Sequence, residues 1–101
     1  QKILEAQKYT LNQVKFLISK AKFFDKFNNQ LNERQKRVLL RMFKEGIDGF
    51  IGGLSAKNYC TITKISSATA SRDLKNLVNI SALTKTGTLK HTRYYLNLKV
   101  S

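Results

Sequence analysis

Between Leu54 and Ile80 lie two short amphipathic stretches separated by little more than Lys64 and Ile65, and few folds accommodate such a pair. In the second stretch Ala70, Leu74, Leu77 and Val78 recur at the three-to-four-residue spacing that builds one apolar helical face. Ser67, Thr69, Ser71, Arg72, Lys75 and Asn76 fall largely on the remaining surface, which is polar and basic. Ser66 and Ser67 are both credible N-caps, because a hydroxyl there accepts from free backbone N–H groups of the first turn. The upstream helix is expected to begin after Ser55 and to bury Tyr59 and Ile62, with Cys60 and Thr63 as further candidates. Lys64-Ile65 supplies the turn, with Ile65 directed into the core, and small Ala68 and Ala70 permit a close helix crossing. The pattern is that of a helix-turn-helix with a reading helix at its second position; an ordinary helical hairpin fits this stretch about as well.

Charge decides what such a pair would meet. The chain carries a net charge of +13, and residues 55–101 hold eight bases (Lys57, Lys64, Arg72, Lys75, Lys85, Lys90, Arg93, Lys99) against one acid, Asp73. That balance favours a polyanionic partner, nucleic acid first. Simple solubility, or an acidic patch on another domain of the same chain, would account for it too. A length of 101 residues with 42% hydrophobic content suits one compact domain. The start at Gln1 rather than methionine reads as a piece of a longer protein, and no signal peptide is visible. No apolar run approaches the ~20 residues needed to span a bilayer, so no membrane partner is expected. A lone Cys60 leaves no internal disulfide and no cysteine-based zinc site, and the absence of proline suits a mostly helical body.

Residues 1–27 lack glycine and proline and read as one long helix with two apolar stripes. Leu4, Leu11, Val14, Ile18 and Ala21 form the first; Tyr9, Phe16, Phe23 and Phe27 form the second, on nearly the opposite side. A helix apolar on two faces packs one on the domain that follows and offers the other to a neighbour or a second copy of the chain. Asn28-Asn29-Gln30 then acts as a hinge. Asn32 as N-cap with Gln35 three positions later is a capping box, and Leu31 takes the staple position. Val38, Leu39, Met42 and Phe43 supply the buried face of this helix, and Gly46 its stop. Arg34, Lys36, Arg37, Arg41 and Lys44 read as its solvated face, with phosphate contact the lesser reading.

Ile47 to Gly53 is a glycine-rich loop with no Gly-Lys-Ser/Thr ending, hence not a phosphate loop; a bend and a short strand around Gly53-Leu54-Ser55 are expected. After Ser81 the period changes. Residues 82–85 and 93–98 read as two strands, joined through Thr86 to Thr92 with Gly87 in the turn. Tyr94, Leu96 and Leu98 point one way, Tyr95 and Asn97 the other. The expected fold is therefore mainly α with a small β-hairpin, a winged helix-turn-helix (residues 31–101) preceded by a long N-terminal linker helix (residues 1–30). The hairpin loop is the wing and carries Lys90, His91 and Arg93.

The run LNERQKRVLLRMFKEGIDGFIGGLSAKNYCTITKISSATASRDLKNLV, followed by ALTKTGTLKHTRYYLNL, closely resembles the C-terminal winged-helix domain of bacterial Fic-family proteins. The resemblance covers essentially the whole chain. Its most specific pieces are Leu31 to Gln35, Ala68-Thr69-Ala70-Ser71-Arg72-Asp73-Leu74, and the wing from Gly87 to Tyr95. It departs from the family at Ser81, where glycine usually follows the recognition helix. The family transfers AMP from ATP to a protein hydroxyl through a histidine-proline-phenylalanine motif and a glycine-rich anion-binding turn. The only histidine here, His91, is followed by Thr92 and Arg93, and there is no proline. The resemblance implies a bacterial, cytoplasmic parent that adenylylates proteins, joined through the first helix to a chain segment that is no enzyme and needs no cofactor.

The residues alone agree on catalysis. Six carboxylates are scattered along the chain, and one histidine with one cysteine makes neither a triad nor a metal site. Two functions follow. In the first, Ser67, Thr69, Ser71, Arg72 and Lys75 enter the major groove of duplex DNA, with Arg72 best able to reach guanine edges, while Lys64, Lys85, Lys90, His91 and Arg93 touch phosphates. In the second, the domain docks on protein: it orients the Fic catalytic domain, recruits its substrate, or self-associates through the first helix. Asp73 is expected to pair with a nearby base such as Arg93, which would make Arg72 or Arg93 structural.

Overall fold

The computed structural model describes the backbone of residues 2–46, 50 and 52–98, and side chains from residue 11 onward within these. Four helices, α1 (Lys2–Phe27), α2 (Glu33–Lys44), α3 (Ala56–Thr63) and α4 (Ser67–Asn79), precede an antiparallel hairpin of β1 (Leu83–Thr86) and β2 (Arg93–Leu96). The order is that of a winged helix-turn-helix behind a long first helix. The expected strand at Gly53-Leu54-Ser55 shrinks to one bridge: Leu54 and Tyr94 exchange backbone hydrogen bonds of 2.9 and 2.8 Å. Ile47, Gly49 and Lys99, and the side chains of Leu4 and Tyr9, lie outside the described residues.

Local chemistry sets the helix ends. Asn32 accepts from the Gln35 N–H while the Gln35 side chain accepts from the Asn32 N–H, closing the capping box of α2. Ser55 and Asn58 close a second box at α3. Ser66, not Ser67, caps α4, accepting from the Thr69 N–H at 3.3 Å. The α3–α4 turn is made by Lys64 in the left-handed region (φ 58°), its N–H donating to the Cys60 carbonyl. At the end of α4 the Ser81 N–H donates to Val78 and the Ala82 N–H to Leu77, a Schellman closure that puts Ser81 at φ 70°. Glycine would take this backbone conformation at less cost than serine. Asn97, just past β2, reaches back to donate to the Ser81 carbonyl at 2.9 Å.

The core joins α1 to the rest. Phe23 and Phe27 are fully buried and meet edge-on at 4.9 Å between ring centroids, and Phe23 lies 5.2 Å from Phe43 of α2. Edge-to-face aromatic pairs of this kind add about 0.5–1.5 kcal/mol each beyond their buried area. Of the two stripes on α1, it is therefore the phenylalanine stripe that packs inward, with Phe16 half-buried. Leu11, Val14 and Ile18 of the other stripe stay exposed, as does Leu17. In α4, Ala70, Leu74 and Leu77 are buried and Val78 half-buried; in α3, Tyr59 and Thr63 are buried while Cys60 and Ile62 are half-buried. Tyr94, Leu96 and Leu98 lean on the core, and Tyr95 faces outward as the alternation requires.

Two expectations about charge are corrected. Asp73 does not pair with Arg93; it sits buried between helices and is held by Arg34 of α2, whose Nε and Nη2 donate at 2.8 and 3.1 Å. Arg34, expected among the free bases of the α2 surface, is thus 40% exposed but tied to Asp73. Arg93 instead donates from Nη1 to the carbonyls of Lys90 and Thr92, at 3.1 and 2.8 Å, and braces the wing.

Candidate nucleic-acid interface

The site is built on a polar knot that lies behind it. The Asp73 carboxylate accepts from Arg34, from the Tyr59 hydroxyl at 2.8 Å and from Asn32 Nδ2 at 3.1 Å, while Gln35 Nε2 donates to the Asp73 carbonyl at 3.1 Å. Burial pushes the carboxyl upward, but the donations from Arg34, Tyr59 and Asn32 outweigh it and hold Asp73 below the ordinary carboxylate range. Burial, and then the bond to Asp73, push the Tyr59 hydroxyl up, so it stays a protonated donor. The Arg34 guanidinium is raised by its hydrogen bond and its charge pairing with Asp73. The knot thus locks the start of α2 to α3 and α4 with each buried polar atom satisfied among the described residues.

Its position matters for the opposite side of α4. Asp73 is the only acid of residues 55–101, and it faces α2, where Arg34 neutralises it. Ser67, Ser71, Arg72, Lys75 and Asn76 are left exposed on the outward face, with no carboxylate of α4 among them. Thr69 is half-buried at the cap, where its hydroxyl accepts from Ser66 at 3.2 Å.

In front of α4 a groove of about 480 Å³ runs between the amino end of α3, α4 and the hairpin. Lys57, Ser71, Lys85, Lys90 and Arg93 line it, and among the described residues no carboxylate does. Of the residues singled out from sequence, the fold gathers Ser71, Lys85, Lys90 and Arg93 around this groove. Lys64, Ser67, Thr69, Arg72, Lys75 and His91 lie outside its lining; all but Thr69 are exposed. Arg93 is half-buried and already bonded to wing carbonyls, so it offers only part of its guanidinium.

Lys57 was not among the expected contacts. A signal existed, since a lysine in the first turn of a helix opposes the macrodipole and no acid accompanies it there. An anion bound there would offset that small cost.

The wing loop is fixed by backbone geometry. Gly87 takes φ 76°, and a Cβ there would run into the His91 carbonyl. Leu89 to His91 form one turn of 3-10 helix, closed by the His91 N–H on the Thr88 carbonyl at 3.0 Å. Leu89 itself stands at φ 52° and is 92% exposed.

Among the described residues no three His, Cys, Asp or Glu side chains are placed to hold a metal ion, and no helix is long and apolar enough to cross a membrane. No family model matches the chain, and no curated protein matches it.

Proposed function

We propose that this chain is a DNA-binding winged-helix domain from the C-terminal part of a bacterial, cytoplasmic Fic-family protein, non-catalytic by itself. The observation that carries the DNA reading is the basic groove beside α4, with Lys57, Lys85, Lys90 and Arg93 on its walls. It is supported by the turning of Asp73, the one acid of α4, to the far side of the helix. In this reading α4 enters the major groove, where Arg72 and Lys75 are the long cations able to reach base edges. The cations around the groove hold the flanking phosphates and set the register without reading sequence. The family assignment rests on the motifs at Leu31 to Gln35, Ala68 to Leu74 and Gly87 to Tyr95, and the left-handed backbone at Ser81 fits a family that favours glycine there.

The test is a fluorescence-anisotropy titration with random duplex DNA across a salt series. Neutralising about four phosphates gives a log–log slope of about −3.6 through counterion release. Arg72→Glu with Lys75→Glu should abolish binding while leaving the melting transition in place, because both side chains are exposed. Undiminished binding by that double variant, or none by the native chain at low salt, rules out groove entry by α4.

A second reading has its own observation. Leu11, Val14, Leu17 and Ile18 are between 43% and 59% exposed along α1, more contiguous apolar surface than a helix leaves unpartnered without reason. This stripe suits docking against the catalytic domain of the same chain or a second copy, and none of its residues lines the groove beside α4.

A further inference from the structure

We propose that Leu89 is an apolar wedge that enters the minor groove beside the major groove occupied by α4, so that the domain selects DNA steps that unstack easily. This rests on the DNA reading above. The starting observation is a pair of local costs at one residue: Leu89 is 92% exposed at φ 52°, a backbone region that leucine rarely takes. Asparagine or glycine would hold the same turn with less strain and no apolar exposure. Strain of this sort persists where the surroundings enforce it, and it points to use.

The surroundings do enforce it. Gly87 excludes a side chain under the turn, the Thr92 N–H donates to the Leu89 carbonyl at 3.1 Å, and Arg93 clamps the carbonyls on either side of His91. The tip is thus a small rigid turn presenting a leucine. The charges around it fit a minor groove: Lys85, Lys90 and Arg93 line the groove whose lip Leu89 forms, and no acid among the described residues lines it. Cations hold the two phosphate rails, and the branched apolar side chain between them replaces part of a base stack. The cost of that replacement depends on the step, being lowest at pyrimidine–purine steps such as TpA and CpA. Specificity would then arise at a position where no hydrogen bond reads a base.

The experiment uses the whole chain and two duplexes of equal length: one rich in TpA steps with 2-aminopurine at a central step, the other with one all-purine strand of mixed sequence. The native chain is expected to prefer the TpA duplex by about tenfold, the equivalent of unstacking one step at lower cost, and to raise the 2-aminopurine emission. Leu89→Asn keeps the left-handed turn and the charges. It should keep the native salt slope on the all-purine duplex, and lose both the preference and the emission rise. If the native chain binds both duplexes equally, or if Leu89→Asn retains the preference, the wedge is overturned while DNA binding stands. Absence of binding to either duplex at low salt overturns both.

Discussion

Replacing Asp73 by alanine tests the construction of the whole domain. The change removes four acceptor contacts at once: two from Arg34, one from Tyr59 and one from Asn32. Their losses are unequal. Tyr59 is completely buried, so its hydroxyl loses its acceptor with no water to replace it, at about 1–3 kcal/mol. The Arg34 side chain is 40% exposed and rehydrates, which places the total below the 3–5 kcal/mol typical of a broken, fully buried ion pair. The expected loss is about 2–4 kcal/mol, or roughly 8–30 °C in melting temperature for a domain of this size. Thermal and urea unfolding monitored by circular dichroism would measure it. A double-mutant cycle with Tyr59→Phe should return about 1 kcal/mol of coupling. Asp73 should likewise couple to Arg34 and not to Arg93. A variant that melts within about 0.5 kcal/mol of the native chain, the scatter of ordinary surface changes, or an Asp73 that couples to Arg93 instead, would refute the knot as the joint between α2, α3 and α4.

Other outcomes follow from the same geometry. Asp73 titrates lower folded than unfolded, so the unfolded chain binds more protons between the two values; its stabilisation is complete above ~4–5 and is lost as pH falls through the folded value. Acid titrations of stability should therefore flatten in Asp73→Asn relative to the native chain. Ser81→Gly removes a left-handed penalty of about 1–2 kcal/mol, offset by about 0.5–1 kcal/mol of added unfolded-state entropy. A net gain near 0.5–1 kcal/mol is expected in urea unfolding, and a destabilised variant would contradict the Schellman closure. For α1, sedimentation of the chain beside a Leu11→Glu, Ile18→Glu variant separates self-association from docking elsewhere: a mass that drops in the variant identifies the stripe as the seam between copies.

Local chemistry made much of this fold legible in the sequence. The capping box at Asn32 and Gln35, the apolar face of α4, the glycine stop at Gly46 and the alternation at Tyr94 to Leu96 depend on neighbours within a few residues. What escaped was joined over distance. Arg34 reads as one more surface base because its partner lies 39 residues away. Two clues to that pairing were nonetheless present. Asp73 falls beside Ala70 and Leu77 on the helical wheel, at the edge of the buried face, and Tyr59 brings a hydroxyl into the core that needs an acceptor. For the candidate site, the wing and helix cations were visible as charges. Their convergence with Lys57 was not, because it depends on how the hairpin folds back over the start of α3.

The aromatic anchoring of α1 bears on how motion would pass along this helix. Phe23 and Phe27 fasten the helix into the core, so it leaves the domain as a stiff rod and not as a tether. The stretch ahead of Phe16, Lys2 to Lys15, extends about 21 Å at helical rise, and a tilt of about 10° at the domain swings its far end by about 4 Å. A reorientation too slight to notice at the wing would thus become a displacement the size of a side chain at whatever α1 carries.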